Sequence, residues 1–390
     1  MTDFTCVDLF AGAGGLSEGL RQVGFNILAA NDFDSHAANT FRYNHPEATF
    51  FEGPIQNVSA EDIFESTGMS RGDLFCLAGG PPCQAFSIYN HQRGMHDERS
   101  GLFREYIRLV EGLFPKWIVM ENVTGISSVE GGLAIKEISR LLGELGYNVE
   151  NYTLKSEQFG VPQERRRIFF IGNRLGLPNT FPSATYDGIK IKFTTVEDAI
   201  MDLPPLGVND GIEKAEYLIP PISSYQKLMR EGSIKLYNHV SPNLNDINLK
   251  RLAHISQGGS WRDIPFELLP AGMQRAKRSD HTKRYGRLAL DGLSSTILTK
   301  CDPHWGAYFH PTQDRVISVR EAARFQSFPD RFRFLGPRGE QYKQIGNAVP
   351  PLLAKAVGEE IIKITKHCME HGGKLLEVNR FHCRVAGVSC

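Results

Sequence analysis

The stretch DLFAGAGGLS, Asp8 to Ser17, decides the fold. It ends the apolar run FTCVDLFAG, which reads as a short β-strand, and opens GLSEGLRQVG, which reads as a helix stopping at Gly24. Glycines in a strand-to-helix turn let the backbone approach a ligand at the positive end of the helix, but they also suit a tight structural turn. The turn alone does not separate these readings. Ser17 stands where the third glycine of GxGxxG belongs, so the dinucleotide fingerprint is incomplete.

Outward from this turn, strand and helix patterns alternate. FNILAAND, DLFCLAGG, KWIVMENV and RRIFFIGN read as further strands, with GLFREYIRLVEGLF as a helix between the second and third of these. The alternation predicts an α/β fold with a doubly wound, parallel, Rossmann-like sheet. Near Leu177 the character changes: GLPNTFPSATYDG, DLPPLG and LIPPISS are rich in Pro, Gly and Ser. A helical pattern returns in GNAVPPLLAKAVGEEIIKIT and is expected to pack back on the first unit. The expected organisation is a discontinuous domain, 1–185 plus 336–390, with a smaller, irregular, β-rich domain, 186–335, inserted into it.

The 390 residues are 41% hydrophobic and 23% charged, an ordinary globular composition. Lys+Arg and Asp+Glu both number 44, yet zero net charge does not exclude a nucleic-acid partner, because binding needs only a local basic face. Asp3 and Asp8 flank the first apolar stretch without a basic region, unlike a signal peptide, and no apolar run is long enough for a bilayer. The seven scattered cysteines fit reduced thiols, so a cytoplasmic protein is expected, with no membrane partner. Cys368, His371, His382 and Cys383 lack the spacing of a zinc site, and no metal is expected.

Four segments carry candidate chemistry. The second strand ends in NDFD, where Asp32 can accept from ribose hydroxyls and Phe33 can stack on adenine, suggesting an adenosine-containing ligand without a pyrophosphate. In GGPPCQAFS, Cys83 follows a strand end and two stiffening prolines, with polar Gln84 and Ser87 after it. A buried hydrophobe is the commonest fate of a cysteine, and explains Cys6 and Cys76; the setting of Cys83 favours a nucleophile. Glu121 in MENV ends a parallel strand, where a carboxyl can be a helix cap or, in a closed pocket, a proton donor. In QFGVPQERRRIFFIG, strand alternation points Gln163, Arg165 and Arg167 one way, toward phosphate or base contacts if they are more than a solvated surface run.

In order, DLFAGAGGLS, GGPPCQAFS, ENV, QFGVPQERRR, REAARFQSFPD and GNAVP resemble the motifs of the DNA cytosine-5 methyltransferases of bacterial restriction–modification type. The resemblance spans Phe4 to about Gly176 and about Ile317 to Thr365. It implies S-adenosylmethionine as cofactor, held by Phe10, Ala11, Gly12, Gly14, Gly15, Asp32, Phe33, Ile55, Pro81, Leu102 and Asn347. It implies Cys83 as nucleophile, Glu121 as proton partner of the ring, and Arg165 and Arg167 as base and backbone contacts. The 186–335 insert becomes a target-recognition domain, and double-stranded DNA the partner of a monomeric enzyme. Gln84, Ser87, Gln163, Arg284 and Thr296 are the expected DNA contacts, and whether a cognate restriction endonuclease stands beside the enzyme is left open. One departure is Pro54, before Ile55 in EGPIQNV, where the family usually carries an acid that accepts from the adenine amino group.

The chemistry explains the residue types. Thiolate addition at C6 of cytosine gives C5 enamine character, C5 then takes a methyl group, and loss of the C5 proton expels the thiolate. The base must first leave the stacked duplex. SIYNHQRGMHDERSG after Cys83 is a candidate lid, and MQRAKRSDHTKRYGR, with six basic residues against Asp280, a candidate phosphate-contacting face. A tRNA cytosine-5 methyltransferase lacks a reason for the long insert. A non-catalytic DNA-binding relative lacks one for intact Cys83, Glu121 and Arg165, and a nicotinamide-dependent oxidoreductase gives Cys83 no role.

Overall fold

A computed structural model describes residues 3–82 and 101–370. Seven strands form the central sheet: β1 (Thr5–Leu9), β2 (Asn26–Asp32), β3 (Thr49–Glu52), β4 (Cys76–Gly79), β5 (Trp117–Val123), β6 (Asn148–Lys155) and β7 (Arg166–Asn173). Their spatial order is β3-β2-β1-β4-β5-β7-β6. Neighbouring strands from β3 to β5 are parallel, whereas β7 runs antiparallel to both β5 and β6. The expectation of a parallel direction for RRIFFIGN is thereby corrected. Only the short segment 156–165 separates β6 from β7, and a parallel return needs a crossover of about a dozen residues or more.

Successive residues of each inner strand enter opposite cores, as a sheet covered on both faces requires. Val7, Leu77, Ile118 and Met120 join one apolar cluster with Tyr106 and Leu109 of α4 (Leu102–Leu113) and Ile138 of α5 (Leu133–Glu144). Cys6, Cys76, Trp117 and Val119 join the other, with Leu16 and Leu20 of α1 (Gly15–Arg21). Helices α2 (Ser35–Asn44) and α3 (Ala60–Thr67) complete the layers on the β2–β3 side.

Beyond β7 the chain is irregular, with helices α6 (Val196–Ile200), α7 (Ser224–Arg230), α8 (Asp246–Leu252) and α9 (Ala271–Gln274). The expected β-rich character is confined to two two-stranded ladders, β8 (Gly211–Ala215) with β9 (Leu236–Val240) and β10 (Gly286–Arg287) with β11 (Ala307–Phe309). The core of this region includes Ile200, Leu236, Phe309, Phe325 of α10 (Val319–Phe325), and Tyr342 and Ile345 of α11 (Arg338–Asn347).

Helix α12 (Pro351–Glu370), the last among the described residues, packs back on the first unit as expected; it lies on α1 and buries Leu353, Val357 and Ile361 in the second sheet core. The crossing is close because two glycines make it so. A Cβ on Gly19 would sit 2.2 Å from the Pro351 carbonyl oxygen, and one on Gly358 would sit 2.9 Å from Leu20 Cδ2. No helix among the described residues is long and apolar enough to cross a membrane.

Candidate active site

The turns after β1, β2, β4 and β5 leave the same end of the sheet, and residues 343–349 return across it. Together they enclose a cavity of about 440 Å³. After β1 the backbone takes the left-handed conformation at Phe10 (φ 56°), Gly12 (φ 56°) and Gly14 (φ 98°). This winding turns the Gly12 N–H toward Asp32, whose Oδ2 accepts it at 2.8 Å, while Oδ1 accepts the Asp34 N–H at 2.9 Å. The Asp32 carboxylate thus ties the glycine turn to the end of β2. Burial pushes its titration upward, and the two backbone donors pull it back. Phe33, next along, is 69% exposed at the rim. Lys343 of α11 reaches Asp34 Oδ2 at 2.6 Å on the same rim.

At the other end of the cavity, β5 delivers Glu121 and β7 delivers Arg167. Arg167 Nε lies 2.8 Å from Glu121 Oε1, with the two side chains only 15% and 12% exposed. Burial pushes the Glu121 carboxyl up, while the Arg167 and Arg165 guanidinium groups oppose it, and the net shift is upward. A Cβ on Gly80 would lie 3.3 Å from Glu121 Oε2, so glycine there leaves the carboxyl its space. Pro81 and Pro82 also line the cavity and lead into Cys83. Cys83, Gln84, Ser87 and the lid segment after them lie outside the described residues.

A family model for the C-5 cytosine-specific DNA methylases matches residues 4–363. The chain belongs to that family. Type II methyltransferase M.AgeI of Thalassovita gelatinovora is 36% identical to it, over 91% of this chain and 98% of that protein. M.DdeI of Desulfomicrobium norvegicum, also a Type II methyltransferase, is 35% identical over 91% of this chain and 88% of its own length. A solved structure described as a candidate DNA modification methyltransferase encoded within an E. coli prophage superposes with a TM-score of 0.74 at 26% identity. It covers 93% of this chain and all of that one. The Entamoeba histolytica methyltransferase EhMeth shares the fold, with a TM-score of 0.57 at 16% identity, over 93% of this chain and 99% of its own.

In this methylase the cavity brings together Phe10, Ala11, Gly12, Asp32, Phe33, Pro81, Glu121, Arg167 and Asn347. Four residues expected at the cofactor are not among those lining it. Gly14 and Gly15 have packing reasons to be glycine: a Cβ would meet Phe41 Cδ2 at 2.9 Å in one case and the Val349 carbonyl oxygen at 2.4 Å in the other. Ile55 is a buried core residue, and Leu102 packs partly buried on the same cluster.

Two residues of the QERRR segment also sit differently from expectation. Gln163 is fully buried, donating to the Phe325 carbonyl at 3.0 Å and to Gln326 Oε1 at 2.9 Å. Arg165 is 2% exposed and donates to the backbone carbonyls of Ile297 (3.2 Å), Gly346 (2.9 Å) and Ala348 (2.9 Å). Both side chains are buried, and each fastens the start of β7 to chain that arrives much later. Thr296 is half-buried and donates to the Glu164 carbonyl at 2.6 Å. Arg284 lies half-buried on the ring of Trp305.

Two site residues were not singled out from sequence. Asp8 lines the cavity floor, and Ser17 Oγ donates to its Oδ2 at 2.6 Å while Oδ1 has no partner among the described residues. Burial pushes its carboxyl up to about 7. A charge in mid-strand, CVDLF, was the available signal. Asn122, buried, donates to the Pro81 carbonyl at 3.1 Å and accepts from the Val123 N–H at 2.8 Å, which pins the approach to Cys83 onto β5.

Proposed function

We propose that this methylase moves the methyl group of S-adenosylmethionine to C5 of a cytosine flipped out of a specific double-stranded DNA sequence, through a covalent bond from Cys83 to C6. The observation that carries the reading is one cavity holding an adenosine-type end, at Asp32 and Phe33, and the Glu121–Arg167 pair, at the mouth of the Pro81–Pro82 turn. The lining fits such a cofactor. A Cβ on Gly12 would meet nothing within 4 Å, so the turn borders open space, and the orphaned Asp8 Oδ1 is a buried acceptor beside it.

Phe33 offers its face to adenine, and each Asp32 oxygen keeps a second lone pair for ribose hydroxyls while accepting one backbone N–H. S-adenosylmethionine, when bound, supplies an electrophilic methyl group on a sulfonium. The Cys83 thiolate bonds to C6, and the C5=C6 electron pair becomes available at C5. Glu121, whose burial favours the protonated form, donates to N3, and Arg167 holds O2. C5 bonds the methyl group as the methyl's bond to sulfur breaks, the electron pair staying on sulfur so that S-adenosylhomocysteine would leave, and C5 then loses its proton to a base. The returning electron pair restores C5=C6 and releases the thiolate. A cognate restriction endonuclease is the functional counterpart that the Type II relatives suggest.

DNA carrying 5-fluorocytosine at the target tests the mechanism, because fluorine does not depart as a proton does. A covalent complex that forms with the unaltered chain and disappears in Cys83→Ala is the expected result. A complex that survives in Cys83→Ala and vanishes in Cys76→Ala would move the nucleophile to the other thiol. Bisulfite sequencing that finds no methylated cytosine would overturn the function.

A further inference from the structure

The turn His281–Tyr285 is left-handed at both ends. His281 (φ 51°) and Tyr285 (φ 48°) are both left-handed without being glycine; histidine tolerates this region, but for the bulky Tyr285 it is an outlier. The turn is nevertheless held: the Arg284 N–H donates to the His281 carbonyl at 2.9 Å, and the Trp261 N–H donates to the Arg284 carbonyl at 3.0 Å. Strain maintained by surrounding hydrogen bonds is characteristic of functional segments.

What the turn carries is Arg284. Its guanidinium carbon lies 4.7 Å from the ring centroid of Trp305, and Nη1 reaches Met273 Sδ at 3.6 Å. Among the described residues, no carboxylate lies within ion-pair reach of it. Trp305 is 51% exposed and braced from behind. His304 stands edge-on to it at 4.9 Å and 85°, and is itself 3.1 Å from the Tyr285 hydroxyl. The platform adjoins the active-site segment, because the neighbouring Lys283 Nζ is 3.4 Å from Glu164 Oε2. A cleft of about 240 Å³, lined by Glu164, Lys283, Arg287, Gly258, Gly259 and Gly286, opens at that contact.

We infer that Arg284, laid on Trp305, reads a guanine flanking the target cytosine; this rests on the function proposed above. A phosphate contact needs charge but little orientation, and the exposed Arg275, Lys277, Arg278 and Lys283 nearby suffice for it. A stacked guanidinium has already lost much of its rotational freedom and presents a planar fork of donors. That fork matches the O6 and N7 acceptors of guanine in the major groove. The same basic stretch therefore divides into residues that hold DNA and one that reads it.

The test is bisulfite sequencing and kcat/KM on duplexes randomised around the target, with the full chain. The unaltered enzyme should require a guanine other than the one opposite its target. Arg284→Ala should lose discrimination at that single position by about 5- to 150-fold, as expected for one bidentate contact. Arg284→Lys, which keeps the charge but not the fork, should lose it too, and decides the matter if Arg284→Ala folds poorly. Trp305→Ala should lower discrimination at the same position, whereas Lys283→Ala should weaken all sequences alike. Full preference in Arg284→Lys, an equal loss at every position, or a site without such a guanine overturns the inference. An unaltered chain that methylates no cytosine overturns the function beneath it as well.

Discussion

Arg167 Nε and Glu121 Oε1 face each other across 2.8 Å, from adjacent antiparallel strands, with both side chains nearly enclosed. Glu121→Gln keeps the shape of the carboxyl but cannot deliver a proton in the same way. Methyl transfer is expected to fall by about 10²- to 10⁴-fold, the usual contribution of a positioned acid–base group. Cofactor affinity, read by calorimetry, should stay within a few-fold. Loss of cofactor binding in step with activity would argue that Glu121 serves the cavity rather than the ring.

Arg165 predicts a different pattern. Its guanidinium serves three carbonyls, two of which flank Asn347 in the cavity wall. Arg165→Ala should cost roughly 1.5–3 kcal/mol or more in denaturant unfolding, the range for hydrogen bonds from a charged donor. It should also raise KM for S-adenosylmethionine more than it lowers kcat. A variant of unchanged stability with lowered kcat alone would restore Arg165 to direct contact with the base.

Two glycines of one turn should respond through different causes. In Gly15→Ala the new methyl would meet the Val349 carbonyl oxygen at 2.4 Å, so stability should fall by about 1–3 kcal/mol from overpacking. In Gly12→Ala the methyl would meet nothing within 4 Å, and only the left-handed backbone, φ 56°, penalises it, by about 1–2 kcal/mol. There the larger effect should be on cofactor affinity, measured by titration, because the methyl intrudes on the cavity border.

Asp8 gives the cofactor-free protein an unusual pH response. Its carboxyl is raised from 3.8 to about 7, so between those values the folded chain keeps a proton that the unfolded chain releases. Stability from this group therefore falls as pH rises through that window. His45 and His310, buried and lowered from 6.5 to about 4, act in the opposite direction and lose stability on acidification from about 6.5 to 4. Removing the opposing group in Asp8→Asn should steepen the acid loss. Urea midpoints at pH 4.5 and 6.5 that separate no further in the variant would contradict this.

Much of this architecture is legible in the sequence because its inner strands are buried on both faces, and such strands read as apolar runs. The two strands of the central sheet that sequence reading did not pick out, β3 and β6, are its edges, with TFFE and NVENYTLK largely exposed. Asp32, Glu121 and Arg167 were legible because each lies near a strand terminus at the end of the sheet where the parallel strands finish. The partners of Gln163 and Arg165 were not, since these lie at Ile297, Phe325, Gln326, Gly346 and Ala348, and nothing local in QERRR announces them. The same applies to Gly14 and Gly15, whose glycine identity answers to Phe41, His45 and Val349.

The seating of α12 on α1 sets an order of events during synthesis. The groove that Gly19 opens in α1 is made early, but its occupant begins at Pro351. At typical elongation rates of about 5–20 residues per second, the roughly 330 residues between them take on the order of 15–70 s to emerge. Through that interval Leu16 and Leu20 wait without their cover, and Asn347, Arg165's two nearby carbonyls and the cavity wall they form do not yet exist. A nascent chain therefore carries the glycine turn, Asp32 and Glu121 long before residues 343–349 can close the cavity around them, and the cavity is complete only once the chain leading into α12 has been made.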